Sequence, residues 1–468
     1  MKLAILGGGG FRVPQVFEAV ASDPGAAGID ELALYDTDRA RLAAIECVLR
    51  QLAAAYPGAP RVTATTDLAP AIDGADFVFC AIRVGGTRGR TIDERVALDL
   101  GVLGQETIGP GGVAYTLRTV PVMMAIAREV RRRAPGAWFV NFTNPAGAVT
   151  EAVRQVLGDR VVGICDTPIG LLRRAARAIA GADAVPAGMD GPGGPGGPGG
   201  PGGPVGDFDY VGLNHLGWLR SFEVGGRDRL PALLADDEAL VGIEEARLMG
   251  LDWVRALGAL PNEYLFYYYF DREAVARIRA SDATRGEFLV AQQSRFYNLV
   301  RQQPERAAAL WAAAKARREA TYMAESREAG QAEARDPDEG GGYQQVALDL
   351  MAALSAGPPA VMILNVANRG PGGPLIDCLP PDAVVEVPCA VDGRGIHPRA
   401  VGPVNGHMAG LIQSVKAVEQ MAIEAALTGS RTLAWKALAT HPLVDSVRVA
   451  RQLLDGYAAT HPQLAALR

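Results

Sequence analysis

Residues 2–22, "KLAILGGGGFRVPQVFEAVAS", run a short apolar strand into four glycines and then into a segment that turns helical after Pro14. Strand, glycine turn and helix form the opening of a dinucleotide-binding unit. Backbone N–H groups and the helix N-terminus there face a pyrophosphate. The match to G-x-G-x-x-G is partial: Gly7 and Gly9 fit, but Arg12 holds the third position. Alone, the stretch also suits a plain tight turn. Residues 31–38, "ELALYDTD", add the missing support: an apolar strand ends at Asp36, where the ribose-binding acid of such a unit belongs. Asp36 as a helix N-cap before Thr37-Asp38 is the competing reading. Gly7, Gly8, Gly9, Gly10, Phe11 and Asp36 are therefore the candidate cofactor-binding residues.

Three more buried strands follow the same plan. "ADFVFCAIRVGG" (75–86) ends in Arg83, "AWFVNFTNPAGAVTEAV" (137–153) stops at Asn144-Pro145, and "RVVGICDTPIGLLRRAARAI" (160–179) ends in Cys165-Asp166. Ligands of open α/β sheets bind beyond the carboxyl ends of the strands, so Arg83, Asn141, Asn144, Cys165 and Asp166 are expected on one crevice. The predicted fold is α/β: a Rossmann-like domain over 1–165, then an α+β substrate domain over 166–468, an architecture that the family resemblance given below likens to lactate and malate dehydrogenases.

The composition sets limits. The chain has 468 residues, 49% hydrophobic content and a net charge of −6. No basic stretch with interleaved aromatics suggests nucleic acid, and no apolar run reaches the ~18–20 residues of a membrane span. The first residues read as a strand because the four glycines would break a signal core. Five scattered cysteines without a C-x-x-C pair fit a reducing, cytoplasmic setting. Gly191–Pro204, "GPGGPGGPGGPGGP", cannot bury apolar surface and is expected to be a disordered insertion. The Ala/Leu-rich stretches at 290–330 and 405–456 are expected to pack on each other or on a second subunit.

In the second half, "FDYVGLNHLGWLRSF" (208–222) sets Asn214-His215 between apolar segments, and "LPNEYLFYYYF" (260–270) carries Tyr264, Tyr267, Tyr268 and Tyr269. A lone histidine or a tyrosine cluster is ordinarily core. Cys165 with His215 nevertheless offers a thiolate and an imidazole to a metal, leaving positions open for substrate oxygens.

These runs, in order, resemble glycoside hydrolase family 4, the NAD- and divalent-metal-dependent glycosidases, and within it the 6-phospho-β-glucosidases. The resemblance is carried by "AILGGGG", "LYDTD", "RVGGTRGRTIDE", "GQETIGPGG", "NFTNPAG", "GICDTPIG", "GLNHLGW", "NEYLFYY", "TRGEF" and "LPPDAVVEVPCAVDGRGIHP". It covers nearly the whole chain except the Gly/Pro repeat and 317–339. It implies a mechanism outside the paired-carboxylate scheme: oxidation at sugar C3 by NAD, proton loss at C2, elimination at C1, addition of water and return of the hydride. It implies Mn²⁺ or another divalent metal on Cys165 and His215, Tyr264 as the C2 base and Asp166 as the leaving-group acid. Asn144 and Asn214 would meet the sugar, with Glu106 near the metal or its waters. Arg90 and Arg285, with Arg83 beside them, would grip a 6-phosphate. A homodimer or homotetramer is implied as well. Aspartate at 166 is more typical of α-acting members, so a 6-phospho-α-glucosidase is the alternative, and a simple 2-hydroxy-acid dehydrogenase the next.

Overall fold

The computed structural model describes residues 1–181, 207–319, 342–355 and 357–468; the Gly/Pro repeat lies outside them. Packing divides the chain into two compact units. One comprises Met1–Val162, Asp271–Glu325 and Ala417–Arg468; the other comprises Gly163–Phe270 and Ser326–Lys416. The first boundary falls close to the expected 165. The difference lies further on: Asp271–Glu325 and Ala417–Arg468 return to the first unit, and Arg285 with them.

The first unit is built on parallel strands. β1 (Lys2–Leu6), β2 (Glu31–Tyr35), β3 (Arg61–Thr65), β4 (Phe77–Cys80), β5 (Trp138–Asn141) and β6 (Val161–Gly163) lie in the order β3-β2-β1-β4-β5-β6. Leu3, Ala4, Ile5 and Leu6 have no exposed surface, as a central strand covered on both faces requires. β1 pairs in register with β2 (Ile5 opposite Leu34) and with β4 (Ile5 opposite Phe79).

Helices Gly406–Thr428, Arg431–Thr440 and Val447–Thr460 do not simply pack on one another. Val418, Ala422, Leu438, Leu453 and Tyr457 share a core with Ala97, Val113 and Leu117 of the first unit's own helices. Small alanines on these faces permit that close approach. A buried polar knot joins the C-terminal helix to the same region. Arg118 donates to both oxygens of Asp93 (2.8 and 2.5 Å) and to the Val84 carbonyl (3.0 Å). His461 Nε2 lies 2.9 Å from Asp93 Oδ1, and Tyr457 donates to the Asp93 carbonyl.

The second unit is antiparallel: β7 (Phe208–Leu213), β8 (Leu216–Val224), β9 (Arg227–Asp228), β10 (Leu260–Pro261), β11 (Ala360–Ala367), β12 (Val384–Asp392) and β13 (Gly395–Pro398). Their order is β10-β8-β7-β12-β11, with β13 on β12 and β9 on β8. β7 and β8 form a hairpin closed by only two residues, Asn214 and His215. Gly212 and Gly217 face each other across it: a Cβ on Gly212 would stand 2.4 Å from the Gly217 Cα, and one on Gly217 would stand 2.4 Å from the Tyr210 hydroxyl.

Candidate active site

In the first unit, β1 runs directly into the glycine turn. Gly7 (φ 91°) and Gly8 both donate to the Tyr35 carbonyl at 2.9 and 2.7 Å, which pins the turn to the end of β2. A Cβ on Gly8 would stand 2.7 Å from that of Leu34, so no larger residue fits between the strands. Helix Val13–Ser22 then starts with Pro14 near its end and neither a side-chain cap nor an acid in its first turn. That leaves a helix N-terminus suited to an anion. Asp36 accepts from Gly9 N–H at 2.9 Å and from Asp38 N–H at 2.9 Å. The helix N-cap is Asp38, not Asp36. The turn is also braced from outside: Tyr297 donates to the Gly9 carbonyl (2.6 Å), Trp311 donates to the Phe11 carbonyl (2.9 Å), and the Phe11 ring meets Phe296 edge-on. Phe11 is buried, so its backbone, rather than its ring, borders the turn.

A cluster of arginines lies in the same unit. Arg83 and Arg90 each pair with one oxygen of Glu106, and Arg90 Nε donates to Glu94 at 2.7 Å. Burial alone would raise the Glu106 pKa, but the two guanidiniums outweigh it and hold the carboxyl at about 2. Both oxygens of Glu106 are thus engaged with arginine. Glu94 also accepts from Gly286 N–H (2.8 Å), tying Arg90 to the start of helix Arg285–Gln302. Arg285 donates to the Arg318 carbonyl at 3.2 Å. Arg318 escaped the sequence reading. Burial, then the charges of Arg12, Arg285, Arg83 and Arg90, push its pKa well below the usual arginine range. No short motif carried that signal; Arg318 joins the cluster only through the return of 271–319 to this unit. Asn141 is corrected too. Its amide binds the Thr143 and Ala146 carbonyls and Thr150, so it shapes the turn that presents half-buried Asn144 rather than facing a ligand.

In the second unit, Cys165 and Asp166 stand just before helix Thr167–Ala180. Cys165 is 4% exposed and lies 3.4 Å from the Thr167 hydroxyl. Burial, then the carboxylates of Glu386 and Asp166, hold its thiol well above the usual range. His215 occupies the left-handed region (φ 64°) as the sole non-glycine among the described residues to do so. A bulky residue held there is a strained feature of the kind found at functional sites. Its ring stacks on Tyr264 with centroids 3.7 Å apart and planes 11° from parallel. Asn262, also missed by sequence reading, links the parts. It accepts from Tyr264 N–H (3.1 Å) and donates to Thr167 (2.8 Å), the neighbour of the Cys165 sulfur. Cys165, His215 and Tyr264 are thus joined by one chain of contacts. Tyr267 is buried in the core, whereas half-buried Tyr269 accepts from Trp218 (3.0 Å), lies 3.3 Å from His407 Nε2, and has its pKa pushed up to about 12 by burial.

One further residue stands out. Glu386 lies within the apolar run of β12, level with Asn365 on β11 and Gly212 on β7. Burial raises its pKa to about 7 despite hydrogen bonds from Asn214, Asn365 and Tyr210. Among the described residues no three His, Cys, Asp or Glu side chains form a ready metal cage. The groups that are present still suit a cation: a thiol and an imidazole as ligands, a buried carboxyl in the same unit to favour positive charge, and the Asn365 amide oxygen, which is buried without a hydrogen-bond partner.

Comparison with known proteins gives matches over almost the whole chain. Residues 2–180 match the family 4 glycosyl hydrolases and residues 210–444 match the family 4 glycosyl hydrolase C-terminal domain. A probable 6-phospho-beta-glucosidase of Bacillus subtilis (strain 168) is 29% identical over 98% of this chain and 96% of its own. The 6-phospho-alpha-glucosidase 1 of Lacticaseibacillus paracasei is 28% identical, with 97% and 96% covered. A solved structure of the 6-phospho-beta glucosidase from Thermotoga maritima, with manganese, NAD+ and glucose-6-phosphate, matches with a TM-score of 0.77 at 26% identity over 99% of each chain.

Proposed function

We propose that this chain, which belongs to glycosyl hydrolase family 4, hydrolyses 6-phospho-β-glucosides by oxidation, elimination, addition and reduction. The observation that carries the reading is His215, held in a left-handed turn and stacked on Tyr264 in a contact chain that reaches Cys165. That arrangement has no counterpart in a dehydrogenase relay of His and Asp.

The first unit binds NAD at Gly7–Phe11, with Asp36 toward the ribose. Arg83, Arg90 and Arg285 hold the 6-phosphate, for which guanidinium forks are suited. Cys165 and His215 hold a divalent cation, and the manganese of the Thermotoga neighbour favours Mn²⁺ over the zinc that thiolate and imidazole alone would suggest. Bound NAD supplies reversible hydride removal at C3, and the cation supplies an electrophile for the oxygen there. Tyr264 takes the proton from C2. Asp166 protonates the oxygen leaving C1. Asn144 and Asn214 bind sugar hydroxyls.

Asp166 favours the α-linked reading, whereas the 208–222, 260–270 and carboxy-terminal runs favour β. No described helix is long and apolar enough to cross a membrane. We read the protein as a cytoplasmic homodimer or homotetramer acting on a small phosphorylated glucoside.

The test is hydrolysis of p-nitrophenyl β-D-glucoside 6-phosphate and its α-anomer, with NAD plus Mn²⁺ and with each left out. Cleavage of the β-anomer that vanishes without NAD is expected. Cleavage of only the α-anomer overturns the linkage. No cleavage of either, with NAD still bound, overturns the activity.

A further inference from the structure

We infer that Glu386 is a positioning residue for the divalent cation: it ties down the Asn214-His215 turn and supplies, from inside the sheet, a carboxylate to the contact network that reaches Cys165. The inference rests on the metal reading given above and extends it to a residue without an assigned role.

The placement argues for it. A carboxylate in the middle of a central strand is costly to bury, and it forms no ion pair among the described residues. Its neighbours are neutral donors: the Tyr210 hydroxyl at 3.0 Å, Asn365 Nδ2 at 3.0 Å and Asn214 Nδ2 at 3.2 Å. Three such bonds fix the carboxyl group but supply no counter-ion for it when it ionises. A purely structural role would be served as well by a neutral acceptor.

The geometry also directs the charge. Asn214 is the residue before His215 in a two-residue hairpin turn, so the Glu386–Asn214 bond restrains the backbone that holds the imidazole. Tyr210 receives the Asn262 amide at 3.5 Å, and Asn262 in turn reaches Thr167 and Tyr264. Glu386 is thus the common anchor of the segments that carry Cys165, His215 and Tyr264. The amide oxygen of Asn365, beside it, is a buried acceptor without a donor. The carboxyl without an ion pair and the Asn365 oxygen both favour positive charge nearby. Groups behind a metal's direct ligands commonly change its affinity by about 10–100-fold when removed.

The test is Mn²⁺ binding by the full-length protein, without sugar or NAD, followed by the electron paramagnetic resonance signal of free Mn²⁺. Glu386→Gln is expected to weaken Mn²⁺ at least about tenfold while NAD affinity stays within about twofold, and Glu386→Asp to recover most of the loss. Asn214→Ala, which leaves Glu386 in place and, in this sugar-free measurement, tests its tie to the turn, is expected to weaken Mn²⁺ several-fold. That variant carries the test should Glu386→Gln fail to fold by circular dichroism. Equal Mn²⁺ affinity in the parent and in folded Glu386→Gln overturns the inference alone. With Glu386→Gln unfolded, unchanged affinity in Asn214→Ala overturns it. A parent that binds no Mn²⁺ overturns the metal reading, and this inference with it.

Discussion

Tyr264 is the residue on which the proposed chemistry turns. Its ring lies flat against His215 at a centroid distance of 3.7 Å, and its backbone is fixed by Asn262. Phenylalanine would keep the stack and remove only the hydroxyl. Tyr264→Phe should therefore fold normally and lose about 10²–10⁴-fold in kcat with little change in KM, the scale of a lost general base. Solvent deuterium should also stop entering C2 of the product, as read by NMR. Full activity in this variant would mean that another group takes the proton. Asp36 shows how much a residue's neighbours add to its identity. Sequence left ribose acid and N-cap open, whereas hydrogen bonding gives the cap to Asp38 and ties Asp36 to Gly9.

At the scale of elements, the strand–turn–helix of residues 2–22 is shaped by what cannot fit. Gly8 lies against β2, where an added Cβ would come within 2.7 Å of Leu34 Cβ and 3.0 Å of the Tyr35 nitrogen. β2 would have to move, and with it the Tyr35 carbonyl that receives Gly7 and Gly8. Gly8→Ala should weaken NAD at least tenfold in a fluorescence titration and lower stability by about 1–3 kcal/mol in a thermal melt. Unchanged NAD affinity would remove the cofactor from this turn. The β7–β8 hairpin is the other formative element. Glycines at 212 and 217 let its backbones and Tyr210 come close, and its two-residue turn leaves His215 in the left-handed region.

Over the whole molecule, the carboxy-terminal helices complete the first unit rather than form a separate layer. Their polar knot, Asp93 with Arg118 and His461, also holds the Val84 carbonyl next to Arg83. Their packing buries His441, whose pKa falls from 6.5 to about 4 through desolvation. The unfolded chain then binds the proton first as pH drops. The stability owed to neutral His441 is complete above pH 6.5, declines between 6.5 and 4, and changes no further below that. The ceiling on this loss is about 3 kcal/mol. His441→Asn should flatten the stability–pH curve in that window, as measured by urea denaturation. An unchanged slope would show that other groups govern acid sensitivity. Glu106, held at about 2, loses its stabilisation only at lower pH, as pH falls from about 4.5 through 2.

The sequence by itself determined the local grammar: the glycine turn after β1, the succession of strands, and Cys165 with His215 as a thiolate–imidazole pair, whereas Tyr264 was set apart from its neighbouring tyrosines only by the family resemblance. Each of these is written in a short window, where periodicity and turn chemistry act. Glu386, Arg318 and Asn262 were not legible in that way. "VVEVP" reads as a strand with one polar residue, and only the pairing of β12 with β11 and β7 reveals that its carboxylate is buried on Asn365 and Asn214. Arg318 gains its meaning when 271–319 folds back beside residues 12, 83 and 90. Burial and charge are properties of all the neighbours at once, and neighbours distant in sequence are chosen by tertiary packing.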